Sequence, residues 1–500
     1  MSDNRLVSSW IVIELGGTDQ VYPRVTFDAL PDDVLLDIFD FYLARINFEP
    51  SLSRPFPEDA WHTLVHVCQM WRSIVFASPH RLQLQLLCTT KRVVQNMLHI
   101  WPELPIVIRA KHRMAKAQDT NNIIAVLEQH NRVRQIEIEF VQISFMKTIR
   151  AMRMEDPFLV LTSLLLRSQI RNVPALPDSF LGGSAPRLKT LSLHGIPFPA
   201  LPNLLLSTRD LVELHLWDIP LSGYITPDAM VTCLSALARL ERLILEFESP
   251  RSRADRETRS APSPTRVVFP ALASLYFQGD SEYLEDIVAR IETPLLNSFN
   301  ITFFNQLIFD THFLRYFISR TEMFKAPHRA QVTFTEGEVN VGLYLRNMNS
   351  FHKISSLAIS CRPSDWQLSS VAQVCDSALS RLSTLERLEI YIRRSWEDDV
   401  KNVPWIELLH SFTSTKDLFL HHKSIQHVAP VLELLAEGRV TEALPALQNL
   451  FLQGPKPSEP VKKTIGMFVA ACQLSGRPVA VHHREWQSRT WQQMHWEIGD

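Results

Sequence analysis

The sequence is poor in the residues that most often build reactive sites. Six cysteines are spread over 500 residues and form no C-x-x-C pair. This low count predicts reduced thiols in a core and argues against a cysteine-ligated zinc site. The 14 glycines form no phosphate-binding loop, and no G-x-S-x-G nucleophile elbow occurs. We therefore expect a protein that is not an enzyme and needs no cofactor and no metal.

Histidine pairs do not change this expectation. His62 and His66 lie four residues apart on a predicted helix, as metal ligands can, but Thr63 stands where a zinc protease needs glutamate. His421-His422 and His482-His483 have no acidic or cysteine neighbours. The His62–His66 pair is interpreted as surface or interface histidines. An enzyme with a site hidden from sequence inspection is the weakest of three functional alternatives.

Long hydrophobic runs are absent as well. The longest spans residues 158 to 166 and is interrupted by Thr162 and Ser163, well short of the roughly 18 residues that a membrane span needs. The N-terminal run from Trp10 to Leu15 ends too early for a signal peptide. We expect a cytoplasmic or nuclear protein with no membrane partner.

A basic excess is also missing. The chain has 51 Lys and Arg against 53 Asp and Glu, and its net charge is −2. A general nucleic-acid binder normally carries a positive excess, so no nucleic-acid partner is expected. The hydrophobic content of 46% predicts a large buried core, which at this length indicates a repeat array or several domains.

The strongest local pattern lies near the N-terminus. Pro31 suits the first position of a helix, and Asp32 and Asp33 place negative charge at its positive dipole end. Apolar residues then follow with helical spacing over more than one face. They are Val34, Leu35, Ile38, Phe39, Phe41 and Tyr42. This apolar width exceeds what one packing partner needs.

A second helix is predicted from Trp61 to Ser78, after a proline-bearing loop from Arg45 to Asp59. Ser78-Pro79 ends it, and Arg81 to Cys88 alternates like a strand. We expect these helices to form a small module. A module this short cannot bury both faces of its helices, so an apolar surface should remain for a partner.

These residues resemble the F-box family, and especially the large F-box set of mushroom-forming fungi. The resemblance rests on Leu30-Pro31, the apolar helix to Phe39, Val67-Cys68-Gln69-Met70-Trp71-Arg72 and Ser78-Pro79, within residues 27–82. It implies docking onto the Skp-type adaptor, and through it a cullin, of a ubiquitin ligase. The adaptor-binding residues that it implies are Leu30, Pro31, Val34, Leu35, Ile38, Phe39 and Trp71.

The rest of the chain repeats one short pattern of three apolar residues, as in Leu188-Leu191-Leu193 and Leu447-Leu450-Leu452. The last member of each copy recurs every 23 to 33 residues, about 28 on average, which is the period of leucine-rich repeats. The copies end at 138, 166, 193, 216, 245, 277, 301, 334, 359, 390, 420 and 452. The copy ending at Phe334 is out of register with the others.

Helical stretches separate these strands, so the predicted fold class is α/β. We expect a small N-terminal helical F-box followed by a leucine-rich-repeat solenoid, with parallel strands on the concave face and helices on the convex face. The predicted organisation is a lead-in at 1–26, the F-box at 27–82, the solenoid at 83–485 with an inserted loop near 248–266, and a tryptophan-rich C-terminal cap at 486–500.

A partner would bind the solenoid through side chains that alternate with its apolar strand residues. The outward set comprises Ser192, His215, Ile244, Tyr276, Asn300, Ala358, Glu389, Phe419 and Phe451, and the residue after a strand's last apolar member joins it. Exposed aromatics on such a face are typical binding anchors. The candidate substrate-binding residues are His215, Trp217, Tyr276, Tyr391, Phe419 and His421.

Two functions fit these patterns better than an enzyme does. The first is the substrate-recognition subunit of a Skp–cullin–F-box type ubiquitin ligase, which docks the adaptor through its helices and an unidentified protein substrate through its solenoid. The alternative is a non-catalytic leucine-rich-repeat binding scaffold that takes no part in ubiquitin transfer.

Overall fold

The computed structural model of the chain describes most of it. The described residues are 30–48, 61–90, 98, 103–111, 117–152, 154–249, 266–304, 306, 309, 311–324, 327–335, 339–344, 356–361, 367–393, 403–436 and 443–484. The chain divides into two compact units, Met1–Leu86 and Leu87–Asp500. The predicted lead-in at 1–26, nearly all of the loop near 248–266 and the predicted cap at 486–500 lie outside the described residues.

Three helices form the described part of the first unit. Helix α1 (Asp32–Phe48) begins directly after Pro31, with Asp32 and Asp33 in its first turn. Helices α2 (Trp61–Val65) and α3 (Gln69–Ala77) follow. The indole of Trp61 donates a hydrogen bond to the Gln85 carbonyl at 2.8 Å, which attaches α2 to the segment after α3.

The single helix predicted from Trp61 to Ser78 is wrong. The chain leaves the helical conformation after Val65, and Cys68 is extended with φ −155° and ψ 171°. Its sulfur accepts a hydrogen bond from the Trp71 amide at 3.4 Å and caps α3. The predicted loop also starts too early, because α1 continues to Phe48.

The second unit is an α/β fold built on one long sheet, in which strands alternate with helices. Its strand order is β1-β2-β3-β4-β5-β6-β7-β9-β11-β14-β13-β12-β15-β16-β17-β18, and β8 pairs with β10 separately. The nine neighbouring strands from β2 to β14 pair in parallel. The strands are β1 (Leu86–Thr89), β2 (Ile106–Ala110), β3 (Val133–Ile138), β4 (Ser163–Arg167), β5 (Thr190–His194), β6 (Glu213–Ile219), β7 (Arg242–Phe247), β8 (Val267–Val268), β9 (Ser274–Gly279), β10 (Ile291–Glu292), β11 (Ser298–Phe303), β12 (Arg329–Phe334), β13 (Val339–Tyr344), β14 (Ser356–Cys361), β15 (Arg387–Ile392), β16 (Asp417–His421), β17 (Asn449–Gln453) and β18 (Ala480–Arg484).

The described helices of the second unit connect successive strands and bury apolar side chains against them. They are α4 (Ala117–Leu127), α5 (Ile143–Ala151), α6 (Leu201–Ser207), α7 (Pro227–Leu234), α8 (Ser281–Val288), α9 (His312–Arg320), α10 (Gln367–Ala378), α11 (Val403–His410), α12 (His422–Leu434) and α13 (Glu459–Leu474).

The predicted strand period is confirmed. The last two apolar residues of each copy lie in a strand of the long sheet, from β3 at the first copy to β17 at the last. Within a strand such as β5, Leu191 and Leu193 are buried, whereas Ser192 between them is half-exposed. The sequence missed β13, which carries no copy of the pattern.

A three-strand insertion interrupts the parallel order. Strand β12 does not pair with β11; it pairs antiparallel with β13, which pairs antiparallel with β14, and β14 returns to lie beside β11. Strand β12 then continues the sheet by pairing in parallel with β15. The copy ending at Phe334, which is out of register in the sequence, lies in β12 of this insertion.

The helices pack on one face of the sheet. Tyr283 of α8 stacks on Phe277 of β9 with ring centroids 6.0 Å apart, and Phe317 of α9 lies 5.5 Å from Phe299 of β11. Because successive side chains of a strand point to opposite faces, Tyr276 next to Phe277 points away from these helices. We call the face that bears Tyr276 and its row the outer face.

Gly182 lies so close to the backbone at Asp156 that replacing it should destabilise the folded protein. Its φ is +61°, and a Cβ there would lie 2.3 Å from the Asp156 carbonyl oxygen. Gly183 has a similar φ of +70° but open space around it. We expect Gly183→Ala to cost about 1 kcal/mol through its backbone conformation alone. Gly182→Ala should cost about 3 kcal/mol because the backbone must also shift. Urea unfolding followed by circular dichroism compares the two variants, and equal costs would contradict the contact.

Candidate binding surfaces

Helix α1 carries two apolar stripes, and only one of them is buried. Leu35, Leu36 and Phe39 are inside, with at most 6% of their surfaces exposed. The second stripe runs along residues with helical spacing and faces outward, and Phe41 within it is 72% exposed. We call it the α1 stripe; its members are Pro31, Val34, Ile38, Phe41 and Tyr42.

The α1 stripe borders α2 and is held in place by polar contacts. The Tyr42 hydroxyl lies 3.2 Å from that of Thr63 in α2. Arg81, which follows α3 in the chain, forms ion pairs with Asp33 and Asp37 of α1. Val67, in the turn after α2, is a further exposed apolar side chain of this unit. Exposed apolar side chains in such number on a small module are typical of a protein-binding surface.

The adaptor-binding residues implied by the F-box resemblance divide between inside and outside. Pro31, Val34 and Ile38 are exposed, and Leu30 is half-exposed. Leu35 and Phe39 are fully buried and do not present their side chains to a partner in this state. Phe39 packs against the half-exposed Trp71, with ring centroids 4.6 Å apart. Phe41, Tyr42 and Val67 are also exposed apolar residues of this unit, and the implied adaptor-binding set does not include them.

The strand register aligns the predicted outward residues of the sheet. Backbone pairing places them in one continuous row, which crosses the three inserted strands at Ala358, Gly342 and Gln331. Trp217 and Tyr391 belong to the next row toward the carboxyl ends of the strands. The first row contains Ser192, His215, Ile244, Tyr276, Asn300, Glu389, Phe419 and Phe451.

Three of the predicted substrate-binding residues form a first cluster, on β6 and β9. The rings of Trp217 and Tyr276 lie 5.6 Å apart although β7 runs between their strands. His215 is half-buried, and burial lowers the pKa of its imidazole below the usual value. Its Nε2 lies 3.8 Å from a carboxylate oxygen of Glu213.

The other three form a second cluster, on β15 and β16. Tyr391 stacks on His421 with ring centroids 3.5 Å apart. Phe419 stacks on Phe451 of β17 at 4.3 Å and is itself buried. Phe451 stacks in turn on His482 of β18 at 4.8 Å. The two clusters are five strand spacings apart, roughly 24 Å along the sheet, so one extended partner can touch both.

A buried carboxylate organises the second cluster. Glu389 is 3% exposed and accepts hydrogen bonds from Arg387 at 2.8 Å, Arg329 at 3.3 Å and the Tyr391 hydroxyl at 3.2 Å. The Arg387 guanidinium also lies 4.0 Å from the centre of the Phe419 ring. Burial, together with the negative charge of Glu389, raises the pKa of Tyr391. This network was missed, because sequence spacing does not show that β12 and β15 are neighbours.

The Tyr391–His421 stack predicts a pH dependence of stability. Burial lowers the pKa of His421 from 6.5 to about 4. Between these values the unfolded chain binds more protons than the folded chain, so stability is complete above about pH 6.5 and falls as the pH decreases. We expect the free energy of unfolding to fall by about 1–2 kcal/mol more in the wild type than in His421→Phe between about pH 7.5 and pH 4.5.

Urea unfolding at the two pH values measures that difference. His483→Phe is the matched control, because the His483 side chain on β18 is exposed, and it should behave as the wild type does. An identical pH response of the wild type and His421→Phe would show that His421 titrates in the same way in both states.

Some kinds of site are not found in the described part of the chain. It contains no group of three or more His, Cys, Asp or Glu residues placed to hold a metal ion. None of its helices combines the length and the apolar character needed to cross a bilayer. Comparison with known proteins finds no protein-family model that matches the chain and no curated protein similar to it in sequence.

Proposed function

We propose that this protein is the substrate-recognition subunit of a Skp–cullin–F-box type ubiquitin ligase. The observation that carries the proposal is the α1 stripe: an exposed, helically spaced apolar surface that begins at the Leu30-Pro31 motif. A helix that buries one apolar stripe in its own unit and exposes a second one has a surface suited to a partner. We assign that partner as the Skp-type adaptor, which links the protein to a cullin.

The second unit supplies a separate surface for a protein substrate. We propose that it is a divergent leucine-rich-repeat solenoid whose strands line the concave face. The strand period of about 28 residues and the alternation of parallel strands with helices support this proposal. The outer face, with its two aromatic clusters, would then be the concave substrate-binding face.

In this function the protein carries out no chemistry itself and acts in the cytoplasm or nucleus. It would hold a substrate close to the transfer enzyme, which raises the effective concentration of the substrate's lysines there. Removing either surface would abolish ubiquitination, but each loss would leave binding to the other partner intact.

Co-expression of the full chain with a Skp-type adaptor, followed by size-exclusion chromatography, tests the proposal. We expect a stoichiometric complex that also recruits a cullin. A chain that is folded but does not bind the adaptor would overturn the ligase function. Adaptor binding without cullin recruitment would instead favour the binding scaffold.

The double variant Trp217→Ala/Tyr391→Ala should still bind the adaptor but no longer bind the substrate. Normal substrate capture by this variant would exclude the outer face as the substrate-binding surface.

A further inference from the structure

A small apolar cavity lies at the carboxyl ends of β5, β6 and β7, beside the first aromatic cluster. Its volume is about 20 Å³, room for roughly one or two water molecules. The lining is apolar and comes from the sheet, the loops after β5 and β6, and the three helices α6, α7 and α8. It comprises Leu193, Ile196, Phe198, Leu201, Leu216, Trp217, Ile219, Gly223, Ile225, Met230, Phe247 and Tyr283.

Trp217 separates this cavity from solvent. Every other lining residue is buried, whereas Trp217 is half-exposed. Its indole therefore forms the outer wall of the cavity and also contacts Tyr276 on the outer face. A ligand group that enters the cavity from the outer face must pass the Trp217 side chain.

A strained backbone positions this wall. The register of β6 and β7 shifts between Leu216 and Ile219, which marks a β-bulge at Trp217 and Asp218. Asp218 has a φ of +49°, a left-handed conformation that is uncommon for residues other than glycine. His194 of β5 holds it there, with 2.7 Å between Nε2 and a carboxylate oxygen. Strain of this kind is retained where a side chain must be held in one place.

The charges around the cavity are mainly negative. The described carboxyl ends of β5, β6, β7 and β9, with the segments that follow them, contain no lysine or arginine among residues 194–200, 217–226, 246–249 and 278–282. Burial lowers the pKa of His194, and the positive charge of Arg167 on β4 lowers it further, against the opposing effect of Asp218. The carboxylates in these four segments are Asp218, Glu246, Glu248, Asp280 and Glu282.

We propose that this cavity is an anchor site for a segment of the substrate that carries a small aliphatic side chain beside a lysine or arginine. One methyl group of that side chain, which is close to a water molecule in size, would enter the cavity behind Trp217, where its dispersion contacts replace empty space. The neighbouring cation would lie over the Trp217 and Tyr276 rings, close to Asp218. The inference rests on the proposed function, since it takes the outer face as the substrate surface.

Selection of peptides from a random twelve-residue phage library on the full chain tests the site. The same library is selected on Trp217→Ala, Trp217→Phe and Asp218→Asn, each checked for folding by circular dichroism. We expect the wild type to enrich peptides with Val, Ile or Leu within two positions of Lys or Arg. Trp217→Ala should lose these peptides, and Trp217→Phe should keep most of them because it preserves an apolar aromatic wall.

The most enriched peptide, labelled with fluorescein, gives affinities by anisotropy. Trp217→Ala is expected to weaken binding at least tenfold. Asp218→Asn, which keeps the tolerance of asparagine for positive φ, should weaken it about fivefold at low salt. Glu407→Gln, an exposed carboxylate on α11, is the matched charge control and should bind as the wild type does.

Three outcomes would overturn the anchor site. They are no enrichment on the wild type, enriched peptides without the aliphatic–basic pair, and binding by Trp217→Ala and Asp218→Asn as tight as that of the wild type. Should Trp217→Ala fail to fold, Asp218→Asn and Trp217→Phe decide the question. Adaptor binding is measured on the same protein samples. Loss of the anchor site with the adaptor bound contradicts only this inference, whereas peptide selection without adaptor binding contradicts only the ligase function.

Discussion

Replacing Ile38 by aspartate is expected to weaken binding of the Skp-type adaptor at least about 100-fold. Ile38 lies near the middle of the α1 stripe and is 42% exposed, so the free protein tolerates a carboxylate there. In the complex the same carboxylate would be buried among apolar groups without a partner, which costs several kcal/mol. Val34→Asp, one turn earlier, should act in the same direction. Isothermal titration calorimetry with the purified adaptor measures both effects.

The control for Ile38→Asp is Leu206→Asp. Leu206 is also an exposed apolar residue at the end of a helix, α6, but in the second unit. It should leave adaptor affinity within about twofold of the wild type. If Ile38→Asp and Val34→Asp both bind normally, the α1 stripe is not the adaptor surface. Phe39→Ala is unsuitable for this test, because Phe39 is buried and its removal disturbs the unit itself.

Replacing Glu285 by alanine is expected to lower the free energy of unfolding of the second unit by about 4 kcal/mol. Glu285 lies in α8 and is completely buried. Its two carboxylate oxygens accept hydrogen bonds from the Phe313 and Leu314 amides, at 2.6 and 2.7 Å, in the first turn of α9. Alanine would leave these N–H groups without the acceptor and remove a negative charge from a helix N-terminus.

Urea unfolding followed by circular dichroism measures this loss, and hydrogen exchange of the Phe313 and Leu314 amides locates it. Glu285→Gln keeps one oxygen but turns an NH₂ group toward the second amide, so it should lose about half as much. Glu407→Ala on α11, where the side chain is exposed, should change stability by less than about 0.5 kcal/mol. A Glu285→Ala variant as stable as Glu407→Ala would show that the cap contributes nothing.

The elements of the fold follow from the spacing of apolar residues. A strand buried on one face needs an apolar residue at every second position, so copies such as Leu191–Leu193 and Leu418–Leu420 identify strands β5 and β16 without knowledge of their neighbours. The same alternation placed His215, Tyr276 and Phe419 in one row of the outer face. Strand β13 has the same alternation, with Val339, Val341 and Leu343 buried, but it was missed because it carries no copy of the repeated three-residue pattern.

Exposure of the predicted site residues could not be read in the same way. Leu35 and Val34 are adjacent apolar residues of one helix, yet one is buried and the other exposed. Which stripe is buried depends on the direction in which the helix packs. The sequence cannot show that direction, because both stripes are equally apolar. Phe419 alternates toward the outer face as predicted but is buried, because Arg387 and Phe451 cover its ring.

By itself, the sequence determined the α/β class, the strand period and the motif at Leu30-Pro31, because each depends on residues close together in the chain. Only the tertiary structure decided the order of β12, β13 and β14, the sharing of Glu389 by Arg329 and Arg387, and the bulge that carries Trp217 over β7 to Tyr276. Those features join residues up to 60 positions apart. Their pairing depends on which strands become neighbours, and local periodicity contains no information about that choice.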